Sequence, residues 1–242
     1  MRKYILARKG WSWLSGKTLA RFYRANEIPF YVTEKTYKKN IAVNWGNSSC
    51  VNALLNQKIN TNKRFQLSLL NNAEIPTLKL YRRNPPRDGI LVARQINHQA
   101  GKDIVLVKPE DRLPYAGYYT VFEHFKRELR IHAFIVDEEI FTRGFKKVTD
   151  NEEELYPIRN LDHGYNFKLV PLSDKLKELS KKILNTLEMD FGCLDVGIKD
   201  DDERYTVIEV NSAPSLVNNE ISLRWYANNI GRRLFPDWEI IE

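Results

Sequence analysis

The sequence predicts a mixed α and β (α+β) fold, and three observations carry that prediction. Runs rich in Val, Ile, Tyr, Phe and Thr, bounded by turn residues, crowd the middle of the chain. Segments with apolar residues at helical spacing are set between and around those runs. The composition, 43% hydrophobic and 29% charged, is that of an ordinary globular protein. At 242 residues the chain is long enough to bury a core in one compact unit of two or three lobes.

Taken in order, "KYILA" (3–7), "PFYVT" (29–33) and "IAVNW" (41–45) read as short strands, and Leu19, Phe22 and Tyr23 share one helical face between the first two. Residues 1–60 therefore form a small α/β unit. "TNKRFQLSLLNNAEIPTLKLY" reads as a helix stopped by Asn71, Asn72 and Pro76, followed by the strand "TLKLY". "RRNPPRDG" is a loop by its Pro and Gly content. "GILVARQI" and "KDIVLVK" are strands joined by "NHQAG", and "YYTVFEHF" is the next strand. "ELRIHAFIVDEEIFTRGFKKV" holds two more, with a turn at Asp137 and Glu138. Leu176, Leu179, Ile183 and Leu187 mark an amphipathic helix. "FGCLDVGI" and "RYTVIEV" are the last strands, and a helix through "EISLRWYANNI" closes the fold.

Several functions are argued down by the residues themselves. "ARKGWSWLSGKTLARFYR" (7–24) places Gly-Lys-Thr after a strand, as a phosphate-cradling loop does. Such a loop needs four residues between its first glycine and the Gly-Lys pair, because successive N–H groups must curl around one phosphate. Here five residues separate Gly10 from Gly16, and Trp11 and Trp13 are among them. The spacing favours a turn in which Ser15 and Gly16 start an ordinary helix. No apolar run approaches the ~20 residues that cross a bilayer, and "MRKYILARKGW" lacks a small-residue cleavage site. Cys50 and Cys193 are too few for a disulfide framework and lack metal-ligand spacing, which suits a reducing cytoplasm. His98 and His132 read as structural. The formal charge of +7 leaves a nucleic-acid or acidic partner open, although no nucleic-acid motif accompanies it.

The most informative stretch is "FGCLDVGIKDDDERYTVIEVNSAPSL" (191–216), two β-runs around a polar loop. If Lys199 pairs with Tyr205, Asp195 falls opposite Glu209, and Asn211 shares their face, while Ile208 and Val210 point into the core. Carboxylates directly opposite one another repel. The pair is tolerable if solvent screens it, as on a plain hairpin face, or if a cation lies between. Two carboxylates and an amide oxygen suit Mg²⁺ riding on a nucleotide.

At this point the sequence resembles a known family. "LDVGI…YTVIEVNSAPSL" is similar to the magnesium-binding end of the ATP-grasp fold, which reads as Asp in one strand and Glu-x-Asn in the next. "EVNSAP" resembles the "EVN-small-small-P" of ribosomal-protein glutamate ligases and related carboxylate–amine ligases. "TNKRFQLSLLNNAEIPT" resembles the Lys-bearing helix that opens the grasp region, and "LVARQINHQAGKDIVLV" its phosphate-covering strand–loop–strand. "VFEHFKRELRIHAFIVDEEIF" resembles the hinge and following strand, "IRNLDHG" an Arg-Asn motif, and "VNWGNSS" a segment of phage-encoded members. The resemblance spans residues 61–216.

It implies an ATP-grasp fold: a pre-grasp α/β domain over 1–60, a first lobe over 61–122 and a C-terminal lobe over 123–242, the two lobes gripping ATP. Asp195, Glu209 and Asn211 would hold Mg²⁺ between β- and γ-phosphates. Lys63 would reach phosphate oxygens, with Arg94 and Gly101 at the phosphate cover. Glu123 and Phe125 would flank adenine, Glu128 would accept ribose hydroxyls, and Arg130 and Arg159 would face the transferring phosphoryl group. Arg94 stands where the family usually has Lys, a planar fork in place of a point charge, and Gly101 is the only glycine of its loop. Singly, each has an ordinary reading: Lys63 and Arg130 as surface charges, Phe125 as core, Glu128 as a lysine's partner. The implied activity is ATP-dependent ligation of a carboxylate substrate to an amine substrate through an acyl phosphate. The alternatives are a grasp-like nucleotide-binding protein without ligase activity and a nucleic-acid-binding or -modifying protein.

Overall fold

A computed structural model describes residues 2–8, 10–37, 40–48, 52–96, 104–149, 159, 164–199 and 204–241. Cys50, His98 and Gly101 lie outside the described residues, as does most of "IRNLDHG".

β1 (Lys3–Ala7), α1 (Trp11–Ala25), β2 (Phe30–Thr33) and β3 (Ile41–Trp45) build a parallel sheet in the order β2-β1-β3. Every residue of β3 is buried, as expected of a parallel strand covered on both faces. The helix starts at Trp11, not at Ser15, so the Gly-Lys-Thr stretch lies inside α1. Gly16 serves packing: a Cβ there would stand 3.2 Å from that of Ala7, so the absent side chain lets α1 lie against β1.

α2 (Lys63–Asn72) is capped by Asn62, whose Oδ1 accepts from Phe65 N at 3.2 Å. It precedes a four-stranded antiparallel sheet of β4 (Leu80–Tyr81), β5 (Leu91–Arg94), β6 (Ile104–Val107) and β7 (Tyr118–Val121), in the order β4-β7-β5-β6. β4 is shorter than the expected "TLKLY". Its first residues leave this sheet and bond elsewhere: Leu78 N donates to Val207 O, and Val207 N to Pro76 O.

The largest sheet holds β8 (Arg127–Val136), β9 (Glu139–Thr149) and β10 (Tyr165–Val170), then, after α3 (Asp174–Thr186), β11 (Phe191–Ile198) and β12 (Tyr205–Asn211). All its pairs are antiparallel, in the order β10-β9-β8-β11-β12. Asp137 and Glu138 make the β8–β9 turn with φ of 47° and 67°, the left-handed pair that a two-residue hairpin requires. β10 was not expected. It is an edge strand with three of its six residues exposed, although Tyr165, Phe167 and Leu169 do alternate with Asn166 and Lys168. α4 (Glu220–Leu234) follows, capped by Asn219.

The β11–β12 register corrects the expected one at its turn end and agrees with it at the site. Ile198, not Lys199, pairs with Tyr205, and a bulge then shifts the register so that Asp195 still faces Glu209. The extra residue is Ile208. It lets Val207 and Val210 both enter the core despite their odd separation, while Ile208 itself is only partly buried.

One face of this sheet packs on α3 and α2, where Leu70, Leu176, Ile183 and Leu184 meet Leu129, Ile131, Leu194, Val196, Val207 and Val210. At one end of the opposite face, Phe134, Phe191 and Tyr226 join Trp45, Tyr23 and Phe30 of the N-terminal unit. Tyr23 Oη donates to Ala227 O at 2.7 Å, tying α1 to α4. Among the described residues no helix is long and apolar enough to cross a membrane.

Candidate active site

Strand alternation decides which side chains leave the core. In β8, Leu129 and Ile131 point to α3, so Glu128, Arg130 and His132 face the other way. By the same rule Cys193, Asp195 and Gly197 in β11, Phe145 and Lys147 in β9, and Glu209 and Asn211 in β12 share that face. Four neighbouring strands thus present charge to one patch.

The centre is a fork. Arg130 donates from Nε to Asp195 Oδ1 at 2.9 Å and from Nη2 to Oδ2 at 2.8 Å, the two residues being direct register partners. The guanidinium also lies over the Phe167 ring, 4.7 Å from its centroid. Lys147 Nζ donates to Glu128 Oε2 at 3.0 Å and stands 3.6 Å from Asp195 Oδ2. On the other flank Lys63 reaches in from the first turn of α2. Its Nζ donates to Asn211 Oδ1 at 2.6 Å and to Val210 O. Asn211 Nδ2 in turn donates to Glu209 Oε1 at 2.6 Å.

These contacts revise the physics of the opposed acids. Screening by solvent is not what holds Asp195 and Glu209 together, because Asp195 is 4% exposed. The protein supplies the intervening cations itself, from β8, β9 and α2. Burial by itself would raise the Asp195 carboxyl, but Arg130 and Lys147 outweigh it and hold the group below the usual carboxylate range. Burial would likewise lower Lys147, and Asp195 and Glu128 raise it above its ordinary value instead. Lys63 goes the other way: burial lowers it, against the opposing pull of Glu209 and Asp195.

The remaining expected residues surround this centre. Phe125, after β7, lies flat against Gly197, where a Cβ would fall 2.4 Å from the ring, so only glycine fits beneath it. Arg159 Nη2 donates to Phe125 O at 2.7 Å, and its Nε stands 3.7 Å from Glu128 Oε1. Glu128 is therefore occupied by two cations, and Arg159 is tied to the segment after β7. Glu123 pairs with Lys199 at 2.9 Å, joining that segment to the end of β11. Arg94 sits in β5 opposite Tyr118, and its Nε finds no hydrogen-bond partner among the described residues. Tyr118 belongs to the same electrostatic field as the site: burial raises its hydroxyl, with Arg94 lowering and Glu209 raising it further. Of the expected set, Lys63, Arg130, Asp195, Glu209 and Asn211 converge, and Glu128 and Arg159 adjoin them through Lys147.

Ser15 lies inside α1 rather than at its start. It is fully buried, and its Oγ accepts from Leu216 N at 3.2 Å, fixing the loop that follows β12. Lys17 lies over the Trp13 ring, 5.5 Å from its centroid. His132 is structural, with Nδ1 3.1 Å from Tyr226 Oη and its pKa pulled down to about 3 by burial and by Arg130. Cys193 is a free buried thiol pushed up to about 12 by burial.

Two contributors escaped the sequence reading. Lys147 was legible in principle, since a two-residue turn at Asp137–Glu138 puts Glu128 opposite it. The strand of Phe167 was legible in the alternation of Tyr165, Phe167 and Leu169, but its seat over Arg130 depends on the β9–β10 pairing, which was not.

The donor set fits Mg²⁺ by its chemistry: two carboxylates and one amide oxygen are hard ligands, and each carboxylate oxygen keeps a second lone pair beside its present hydrogen bond. No cluster of three or more His, Cys, Asp or Glu suited to a metal occurs among the described residues.

The fold has known counterparts. The ATP-grasp ligase PsnB, solved with a minimal precursor, Mg and ADP, aligns with a TM-score of 0.61 at 14% identity, covering 90% of each chain. D-alanine–D-alanine ligase from Bacillus anthracis gives 0.60 at 13% identity, over 89% of this chain and 88% of its own. The macrocyclase MdnC bound with precursor peptide MdnA, from Microcystis aeruginosa MRC, gives 0.58 at 12%, over 91% and 94%. No protein-family model matches the sequence, and no curated protein matches it. The chain has the ATP-grasp fold, over about nine-tenths of its length.

Proposed function

We propose that this protein is an ATP-dependent carboxylate–amine ligase that works through an acyl phosphate. The observation that carries this reading is the convergence of Asp195, Glu209 and Asn211 with Lys63, Arg130 and Lys147 on one face of an ATP-grasp sheet, Asp195 lying opposite Glu209. Support comes also from similar folds described as ligases, one of them with Mg and ADP.

In the reaction a carboxylate oxygen attacks the γ-phosphorus of ATP, the bond to the β–γ bridging oxygen breaks, and ADP departs. An amine nitrogen then attacks the acyl carbon, the carbon–oxygen bond to phosphate breaks, and the amine releases a proton. Mg²⁺, held by Asp195, Glu209 and Asn211, would neutralise phosphate oxygens when bound. The chain's own part is positioning and charge. Arg130, fixed by Asp195, cannot rotate freely and so presents its remaining N–H groups in one direction. Lys147 stays protonated at neutral pH because Asp195 and Glu128 raise it. Lys63, already depressed by burial, is ready to exchange Asn211 for a phosphate oxygen.

The test is to incubate the protein with ATP, Mg²⁺, amino-acid pools and hydroxylamine, following ADP and hydroxamate. Coupled appearance of both is expected. ATP binding with no hydroxamate from any acid points instead to a nucleotide-binding protein without ligase activity. Absence of both binding and turnover overturns the reading.

A further inference from the structure

Lys63 stands where a helix disfavours a cation. It is the first residue of α2, whose opening turn carries no acidic side chain, and the positive end of a helix repels a lysine. Its partners lie on a distant strand. The half-buried ammonium donates to Asn211 Oδ1 at 2.6 Å and to Val210 O, both in β12. Asn211 passes the contact on: its Nδ2 donates to Glu209 Oε1 at 2.6 Å, and Glu209 faces Asp195 across the β11–β12 ladder. The ammonium thus sits on the amide oxygen that completes the Asp195, Glu209 and Asn211 donor set.

A divalent ion and this ammonium compete for one place. Asn211 Oδ1 has a second lone pair to offer, but two cations on one amide oxygen repel each other where little solvent screens them. The asparagine is also turned to suit the lysine, with its acceptor toward Nζ and its donor toward the Glu209 carboxylate.

The charge around the pair has the same sense. Arg130 and Lys147 attend Asp195, while Lys147 and Arg159 attend Glu128. With Lys63 included, four basic side chains meet the three acids Asp195, Glu128 and Glu209. A patch of that balance repels a free divalent cation and attracts a polyanion. Of the four bases, Lys63 is the one built to leave. It is a point charge on a flexible four-carbon stem, and its hold is on an amide and a carbonyl. Arg130 is pinned by two bonds to a carboxylate, and Lys147 lies between two carboxylates.

We propose that Lys63 is a built-in stand-in for the divalent ion. Its ammonium keeps a free ion off Asp195, Glu209 and Asn211 and yields when polyphosphate draws it away, so that the ion enters only with the nucleotide. The coupling to nucleotide rests on the ligase reading; the exclusion of the free ion by Lys63 does not.

The test follows Mn²⁺, which takes the same oxygen ligands as Mg²⁺, by electron paramagnetic resonance on the full chain without nucleotide. The wild-type protein is expected to leave Mn²⁺ free up to millimolar concentration. Lys63→Met keeps an unbranched stem without the charge and should bind Mn²⁺ at least about tenfold more tightly, through loss of one neighbouring like charge. Adding Glu209→Gln should abolish that gain, which assigns the ion to this site. Lys63→Arg, which keeps the charge, should exclude Mn²⁺ as the wild type does; a lysine with a merely structural role would leave Mn²⁺ affinity unmoved in every variant. If Lys63→Met fails to fold, Lys63→Gln takes its place. A folded uncharged variant that binds Mn²⁺ no better than the wild type overturns the proposal. Tight Mn²⁺ binding by the wild type alone, lost in Glu209→Gln, overturns it without any Lys63 variant. ADP with Mn²⁺ is titrated into the wild type separately. Joint binding of ADP and Mn²⁺ with no gain in Lys63→Met sinks the exclusion and leaves the ligase reading standing; the gain without any ADP binding does the reverse.

Discussion

The two faces of the five-stranded sheet are made by the same strands and obey opposite rules. Toward α3, Leu194, Val196, Ile131 and Val207 are fully buried against one another, and each contributes on its own through area and packing. On the opposite face, Lys147, Asp195 and Glu128 are buried and Arg130 and Lys63 half-buried, and the buried charges are tolerated only as a set, because each would be costly there without its partners. The first face gains stability from each residue separately; the second holds only collectively and is arranged for charge.

That contrast can be tested by removing one member from each face. Leu194→Ala should cost about 3–4 kcal/mol in denaturant unfolding, the scale of a buried leucine whose cavity cannot collapse, with nucleotide affinity little changed. Arg130→Ala should cost roughly 3 kcal/mol, the lower end for a broken buried pair, because Lys147 stays close to Asp195. Adding Asp195→Asn to Arg130→Ala should then restore part of that stability. A double variant worse than the single would break the idea that the polar face acts as a set.

Glu209→Gln separates charge from shape. On the ligase reading it lowers ADP formation by about 10²-fold or more, the scale of losing one charge-stabilising group. The melting temperature should move little, since the amide keeps the oxygen that accepts from Asn211. Retained turnover would remove Glu209 from the site.

The smallest effect lies where the two chemistries meet, at His132. Its folded pKa of about 3 is depressed below an ordinary unfolded value near 6.5. The neutral ring therefore contributes stability that is complete above pH ~6.5 and is lost as pH falls toward the folded value. Unfolding free energy should drop by up to ~1.4 kcal/mol per pH unit between pH 6 and 5, above the onset near pH ~5 of the loss that the lowered Asp195 carboxyl brings. His132→Gln should flatten that window. An unchanged slope would assign it to other groups.

How far the site could be read from the chain follows from how its contacts are made. Asp195 opposite Glu209 was legible because hairpin partners are close in sequence and alternation fixes their face. The expected register at the turn end was off by one. It reached the right answer at Asp195 only because the bulge at Ile208 absorbs the difference, which no pattern of side chains announced. Lys63 was singled out through family likeness, yet its grip on Asn211 and Val210 joins residues far apart in the chain. β10 was legible in the alternation of Tyr165, Phe167 and Leu169, but its pairing with β9, and so the place of Phe167 over Arg130, was not.

The sequence by itself determined most of the strands, the four helices in outline and the acid pair, since periodicity and turn chemistry act over short stretches of chain. Only the tertiary structure decided that the Gly-Lys-Thr stretch packs inside a helix with Ser15 bound to Leu216, and that Lys63, Arg130 and Lys147 neutralise Asp195 and Glu209. Charge compensation in a buried cluster depends on distance through space, and the order of residues along a chain does not encode that distance.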